Sequence, residues 1–199
     1  MIMRPPIRRP GRLGRLKSGW KDDGAQIVEV ALSLPLLVVF VVGIFDFSSA
    51  ISLKQKLTNA AREGARVAAA DPYNDIGTAA APVSVMDAYW VVDNYLQSEN
   101  ISDCGLKSAL PSHSAGTLTW VSTATTAPCT STSGLILTIN RGSVTKETLS
   151  TTGTVDVIST VVTIQYPYNW QFGGVVGLVG GRFIGPTSIT TSAAAFNEN

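Results

Sequence analysis

Residues 24–45 read G-A-Q-I-V-E-V-A-L-S-L-P-L-L-V-V-F-V-V-G-I-F. Sixteen of them, Val30–Phe45, carry no charge, and a glutamate, Glu29, stands at the N-terminal entry to that run. A bilayer core takes about 20 apolar residues as helix. Val30–Leu53 contains one charge, Asp46, so a span at about residues 30–53 is expected. Pro35 lies inside it, where a membrane helix tolerates a local bend. Asp46 falls near the outer interface and reads either as a headgroup-level acid or as a polar contact to a partner helix.

Charge is segregated across this run. Residues 1–24 hold seven Lys/Arg against two Asp, a net of +5, and the remainder holds eight basic against twelve acidic residues, a net of −4. That is the positive-inside pattern, which places the N-terminus in the cytoplasm and the C-terminal region outside. The arm at 1–24 is broken by prolines and glycines and carries no folded nucleic-acid motif. It reads as a basic cytoplasmic leader resting on anionic lipid, and no nucleic-acid partner is expected. Charged residues make up 15% of the 199-residue chain, against about 25% in soluble domains.

Helical pattern continues beyond the span, and residues 25–70 read as one long helix ended by Asp71-Pro72. Ala60, Gly64 and Ala68 recur every four residues, as do Ala61, Ala65 and Ala69. Such a face allows close helix packing, and it serves equally an Ala-rich helix on its own domain or contact between subunits. Residues 71–199 form an exported domain. Residues 71–82 read as a loop, and Val83–Glu99 as a helix with Val85, Tyr89, Val92 and Leu96 on one face. Thr117–Ser122, Leu135–Asn140, Val144–Leu149, Val155–Tyr166 and Thr187–Phe196 read as strands, with Asn140-Arg141-Gly142 as a turn. The glycine-rich stretch 169–186 reads as a surface loop. The expected fold class is α+β: a long membrane-spanning helix, then one short helix and an antiparallel sheet.

The two cysteines, Cys104 and Cys129, lie in the exported part, where a single disulfide is the simplest state. No Cys/His cluster suggests a metal, and no cofactor is expected. The lone histidine, His113, reads as a solvated side chain in a Ser/Gly loop. No phosphate-binding glycine loop, nucleophile elbow or zinc-protease motif occurs, so no enzyme activity is expected.

Gly24, four residues and then Glu29, after a basic leader and before an apolar helix, is the pattern that prepilin peptidases recognise. With G-I-F-D at 43–46, N-A-A-R-E-G-A-R at 59–66, a strand running into Tyr166-Pro167-Tyr168 and an Ala-rich last strand, the chain resembles the TadE-like family. These are minor pilins (pseudopilins) of the tight-adherence, Flp-type, type IV pilus. Val30 departs from the pattern, in which an aromatic is more usual at that position. The resemblance implies cleavage between Gly24 and Ala25 by a prepilin peptidase, residence in the bacterial inner membrane as a single-pass protein, and partnership with other pilins and assembly proteins. Glu29 would then pair with the new α-amino group of a neighbouring Ala25. Two other readings stay open: an unprocessed, anchored extracytoplasmic binding domain, and a secreted protein cut after Ser48-Ser49-Ala50.

Overall fold

A computed structural model describes residues 22–72, 76, 81–129, 134–149, 153–170, 173–174, 177 and 185–198. The expected basic leader, apart from its last three residues, and most of the stretch 169–186 lie outside the described residues. The chain divides into two compact units, Met1–Phe40 and Val41–Asn199. The first helix, α1, is Asp22–Ala70.

In the first unit the side chains of residues 24–38 are all exposed. Leu32 (74%), Leu37 (62%) and Phe40 (64%) present apolar surface that a soluble domain would bury. The most apolar window of α1 has a mean hydropathy of 2.7 and none of it is buried, so α1 is long and apolar enough to cross a membrane. Pro35 sits within the helix, and one turn earlier the Ser33 hydroxyl donates to the Val30 carbonyl at 3.2 Å.

In the second unit two helices pack on one face of a five-stranded antiparallel meander. α2 is Val83–Ser98. The strands are β1 (Ser112–His113), β2 (Thr119–Ala124), β3 (Leu135–Leu149), β4 (Gly153–Pro167) and β5 (Ser188–Phe196), in spatial order β1-β2-β3-β4-β5. Leu135, Leu137 and Ile139 of β3 and Val162 and Ile164 of β4 are buried at every second position, as a half-covered sheet requires. They meet Leu57, Ala61 and Ala65 of α1 and Val85, Tyr89, Val92 and Leu96 of α2 in one core.

α2 ends in a Schellman motif. Asn100 takes the left-handed conformation (φ 55°), Asn100 N donates to Gln97 O at 3.1 Å, and Ile101 N donates to Leu96 O at 2.9 Å. The end of α1 is tied to the sheet: the Glu198 amide donates to Ala69 O at 3.3 Å, and the Arg141 guanidinium donates to Asp71 O at 3.0 Å. A cation against the last carbonyls of a helix also meets the negative end of its dipole.

Three sequence expectations are corrected. Asn140-Arg141-Gly142 is not a turn: β3 runs through it and absorbs one extra residue as a bulge, the register shifting between Asn140 and Ser143. The bulge buries Arg141 completely and leaves its amide to donate to Leu118 O at 2.9 Å. Leu135–Asn140 and Val144–Leu149 are therefore one strand, paired with a β4 that reaches back to Gly153. His113 is half-buried rather than solvated. It lies in β1, with its ring 5.1 Å from that of Trp120 and Nε2 2.7 Å from Thr117 O.

Candidate functional site

Four places in the chain carry residues that the sequence singled out. The first is the start of α1. Gly24, Ala25 and Glu29 are exposed there, and a Cβ placed on Gly24 would meet nothing within 4 Å. Small residues on both sides of the Gly24–Ala25 bond leave it sterically open. Glu29 is one helical turn further on, about 6 Å along the axis from Ala25.

The second is the small-residue face of α1. Ala60, Ala68 and their neighbours Ala61 and Ala65 are fully buried. A Cβ on Gly64 would stand 2.7 Å from Val92 Cγ2, 3.5 Å from Ala88 O and 3.8 Å from Val162 Cγ1. Only a hydrogen at this position allows α1 and α2 to approach so closely, so the face packs on the chain's own domain. The charged residues Arg62, Glu63 and Arg66 lie away from that contact. The Arg66 guanidinium holds Glu63 in an exposed ion pair at 2.6 Å, and that hydrogen bond lowers the Glu63 pKa from its ordinary value.

The third is the disulfide. Cys104 and Cys129 are bonded, with Cα atoms 5.4 Å apart and a sequence separation of 25. The bridge joins the segment after α2 to the segment after β2. Thr126 N donates to Cys104 O at 2.9 Å beside it.

The fourth was not visible as a unit in the sequence. Asp46 is 4% exposed on an otherwise exposed stretch of helix, and Tyr168 covers it. The Tyr168 hydroxyl donates to Asp46 Oδ1 at 3.0 Å and lies 3.2 Å from Asp46 O. Trp170 packs edge-on against Tyr168 at 4.9 Å and against Phe47 at 5.4 Å, and its indole N–H donates to Pro186 O at 2.6 Å. G-I-F-D and Y-P-Y, noticed separately in the sequence and 122 residues apart, thus make one contact. Burial first, then the hydrogen bond to Asp46 and the charge of that carboxylate, push the Tyr168 pKa up to about 12. The polar partner of Asp46 shown here is Tyr168 of its own domain rather than a partner helix.

Two more buried polar groups lie away from these places. Asp93 in α2 accepts from Gln97 Nε2 at 2.8 Å. Burial raises the Asp93 pKa, the Gln97 hydrogen bond opposes that, and neighbouring Asp103 adds to the rise. Tyr89 donates to the Leu106 carbonyl, and burial with the nearby charge of Asp93 pushes its pKa up to about 12. Among the described residues no three His, Cys, Asp or Glu side chains converge as a metal site would need.

Residues 24–66 match the family model described as TadE-like protein. The match begins at Gly24 and covers the exposed helix, Asp46, Ala60 and Gly64, so over this stretch the chain is similar to that family. No curated protein and no solved structure gives a significant match.

Proposed function

We propose that this protein is a non-enzymatic, pilin-like subunit of the tight-adherence pilus system, a minor pilin whose α1 anchors it in the bacterial inner membrane before assembly. The observation that carries this reading is the family match beginning at Gly24, where G-x-x-x-x-E leads into an unburied apolar helix. A prepilin peptidase cuts between Gly24 and Ala25 and removes the basic leader. The new α-amino group of Ala25, with an ordinary pKa of about 8, is then positive. An isolated charge at the membrane is costly, and so is a lone carboxylate. Glu29 of one subunit pairs with the amine of another, and the four-residue offset sets an axial stagger of about 6 Å between them.

The domain that follows α1, residues 71–199, stays outside the membrane and presents its surface to other pilins. Its core, with the Gly64–Val92 contact and the 104–129 disulfide, closes on itself without a partner. Association in the filament therefore falls to the exposed half of α1. The test is Glu29→Gln. The variant should be processed and inserted like the parent yet be depleted from sheared pili. Incorporation at the parental level would refute the pairing.

A further inference from the structure

Beyond Asp46, α1 presents a polar face. Ser48, Ser52 and Lys56 follow at four-residue intervals and so share one side of the helix. They line an open cleft of about 430 Å³ whose other wall is the end of α2, with Glu99 and Asn100. That volume lies in the range of small-molecule sites, roughly 300–1,000 Å³. Lys56 Nζ is 3.1 Å from Glu99 Oε2 and donates to Glu99 O at 3.3 Å. Both side chains are partly exposed, at 40% and 38%, so the pair is open to a ligand. The Schellman motif fixes Asn100 at the rim. The Ser49 hydroxyl is turned back to Phe45 O at 2.9 Å, which leaves Ser48 and Ser52 as the helix's hydroxyls on this side.

The height of the cleft along α1 indicates what reaches it. The exposed large apolar side chains of α1 run through Phe45 (70%) and Phe47 (58%) to Ile51 (56%). At 1.5 Å per residue, Ser48–Lys56 covers about 12 Å of axis. The headgroup layer on each side of the hydrocarbon is about 5–7 Å deep. Counted from Ile51, Ser52 therefore lies within it and Lys56, about 7.5 Å up, at its outer edge, with the long lysine stem able to reach down, while Ser48 stands one turn below Ser52 at the boundary with the hydrocarbon. Tyr168 and Trp170, packed at Asp46 and Phe47, lie about one turn below Ile51, near the boundary where aromatic side chains mark membrane interfaces.

A cation and an anion side by side in a polar cleft suit a zwitterion better than either ion alone. We propose that this cleft binds the phosphoethanolamine headgroup of a membrane phospholipid. The phosphate oxygens accept from the Lys56 ammonium and the Ser48 and Ser52 hydroxyls. The primary ammonium donates to the Glu99 carboxylate and replaces part of the Lys56–Glu99 contact. A choline headgroup has no N–H for Glu99, and a glycerol headgroup has no cation. The inference rests on the reading of α1 as the membrane span.

The experiment reconstitutes the full chain into nanodiscs holding equal phosphatidylethanolamine, phosphatidylcholine and phosphatidylglycerol, and reads retained lipid by native mass spectrometry. Phosphatidylethanolamine should be retained about tenfold over the other two, the value of one charge-assisted hydrogen bond. Glu99→Gln should reduce it to the level of phosphatidylcholine. Ser48→Ala with Ser52→Ala, which leaves the ion pair intact, should lower retention of all three. Equal retention by the parent, or a preference that survives Glu99→Gln, would overturn the inference. So would binding of soluble phosphoethanolamine as tight as that of the lipid, or disulfide capture of a second copy at Ser52→Cys in place of lipid. Failure of the chain to insert would overturn the membrane reading itself, whereas insertion without enrichment counts against this site alone.

Discussion

Removing one oxygen from Tyr168 should loosen the second unit from its own helix. Tyr168→Phe keeps the ring and its contact with Trp170 but deletes the donor to Asp46. Asp46 is 4% exposed, so water cannot easily take the vacated place. A hydrogen bond to a charged group contributes about 1.5–3 kcal/mol net, which sets the expected loss at about 2 kcal/mol. For a chain of this size that corresponds to a fall in Tm of about 4–8 °C. Trp170 lies next to the deleted hydroxyl, so tryptophan fluorescence during thermal unfolding in detergent micelles reports the change. A double-mutant cycle with Asp46→Ala isolates the contact, since Tyr168→Phe should cost almost nothing once Asp46 is gone. Alkaline pH gives a second readout. The folded pKa of Tyr168, about 12, is above its ordinary value of about 10, so its contribution is complete below pH 10 and is lost as pH rises toward 12. Tyr89 contributes in the same direction but remains in both proteins, and the parent-minus-variant difference isolates Tyr168. Additive single and double variants, or identical alkaline profiles, would refute the coupling.

Asp93→Asn should stabilise the domain at neutral pH, because the folded Asp93 pKa is raised by burial and the ionised form is held against that cost. The parental contribution is complete below about pH 4 and lost as pH rises through the folded pKa, so the gain in Tm should vanish toward pH 4. Gly64→Ala gains about 1 kcal/mol in helix propensity but drives a Cβ to 2.7 Å from Val92 Cγ2, an overpacking cost of about 1–3 kcal/mol. A net loss is expected by chemical denaturation, and it should disappear in a Val92→Ala background. Replacing Cys104 and Cys129 together by alanine reopens a 25-residue loop and should cost roughly 3 kcal/mol. Reducing agent should lower the parental Tm by a similar amount and leave the double variant unchanged.

Local signals made much of the architecture legible in the sequence. The apolar run at 30–45, the Asp71-Pro72 stop and the spacing of Val85, Tyr89, Val92 and Leu96 each depend on neighbours within a few turns, and the helices lie where those signals put them. The richness of residues 135–140 and 155–166 in Thr, Val, Ile and Leu likewise marked parts of β3 and β4 as strand. Long-range pairing stayed hidden. Asn140-Arg141-Gly142 has the composition of a turn, and only the position of Asp71 at the end of α1 shows that Arg141 is drawn inward as a bulge. The contact between Asp46 and Tyr168 could not be read because the two lie 122 residues apart in sequence. The Ala60-Gly64-Ala68 face was ambiguous for another reason: the same spacing serves packing within one chain or between two, and α2 decides the matter by placing Val92 against Gly64. Of the candidate site, Gly24, Ala25 and Glu29 were legible as a motif, whereas the pairing of Lys56 with Glu99 needed the fold to bring the end of α2 beside α1.

The N-terminal residue of the mature protein tests the pilin reading most directly. Intact-mass measurement or terminal sequencing of the protein from membranes and sheared pili should give a chain that begins at Ala25, with Gly24→Val abolishing the shift from the full-length form. A mature chain that begins at Met1 would make this an unprocessed anchored domain, and one that begins at Ile51 a secreted protein without its helix; either would contradict the proposal.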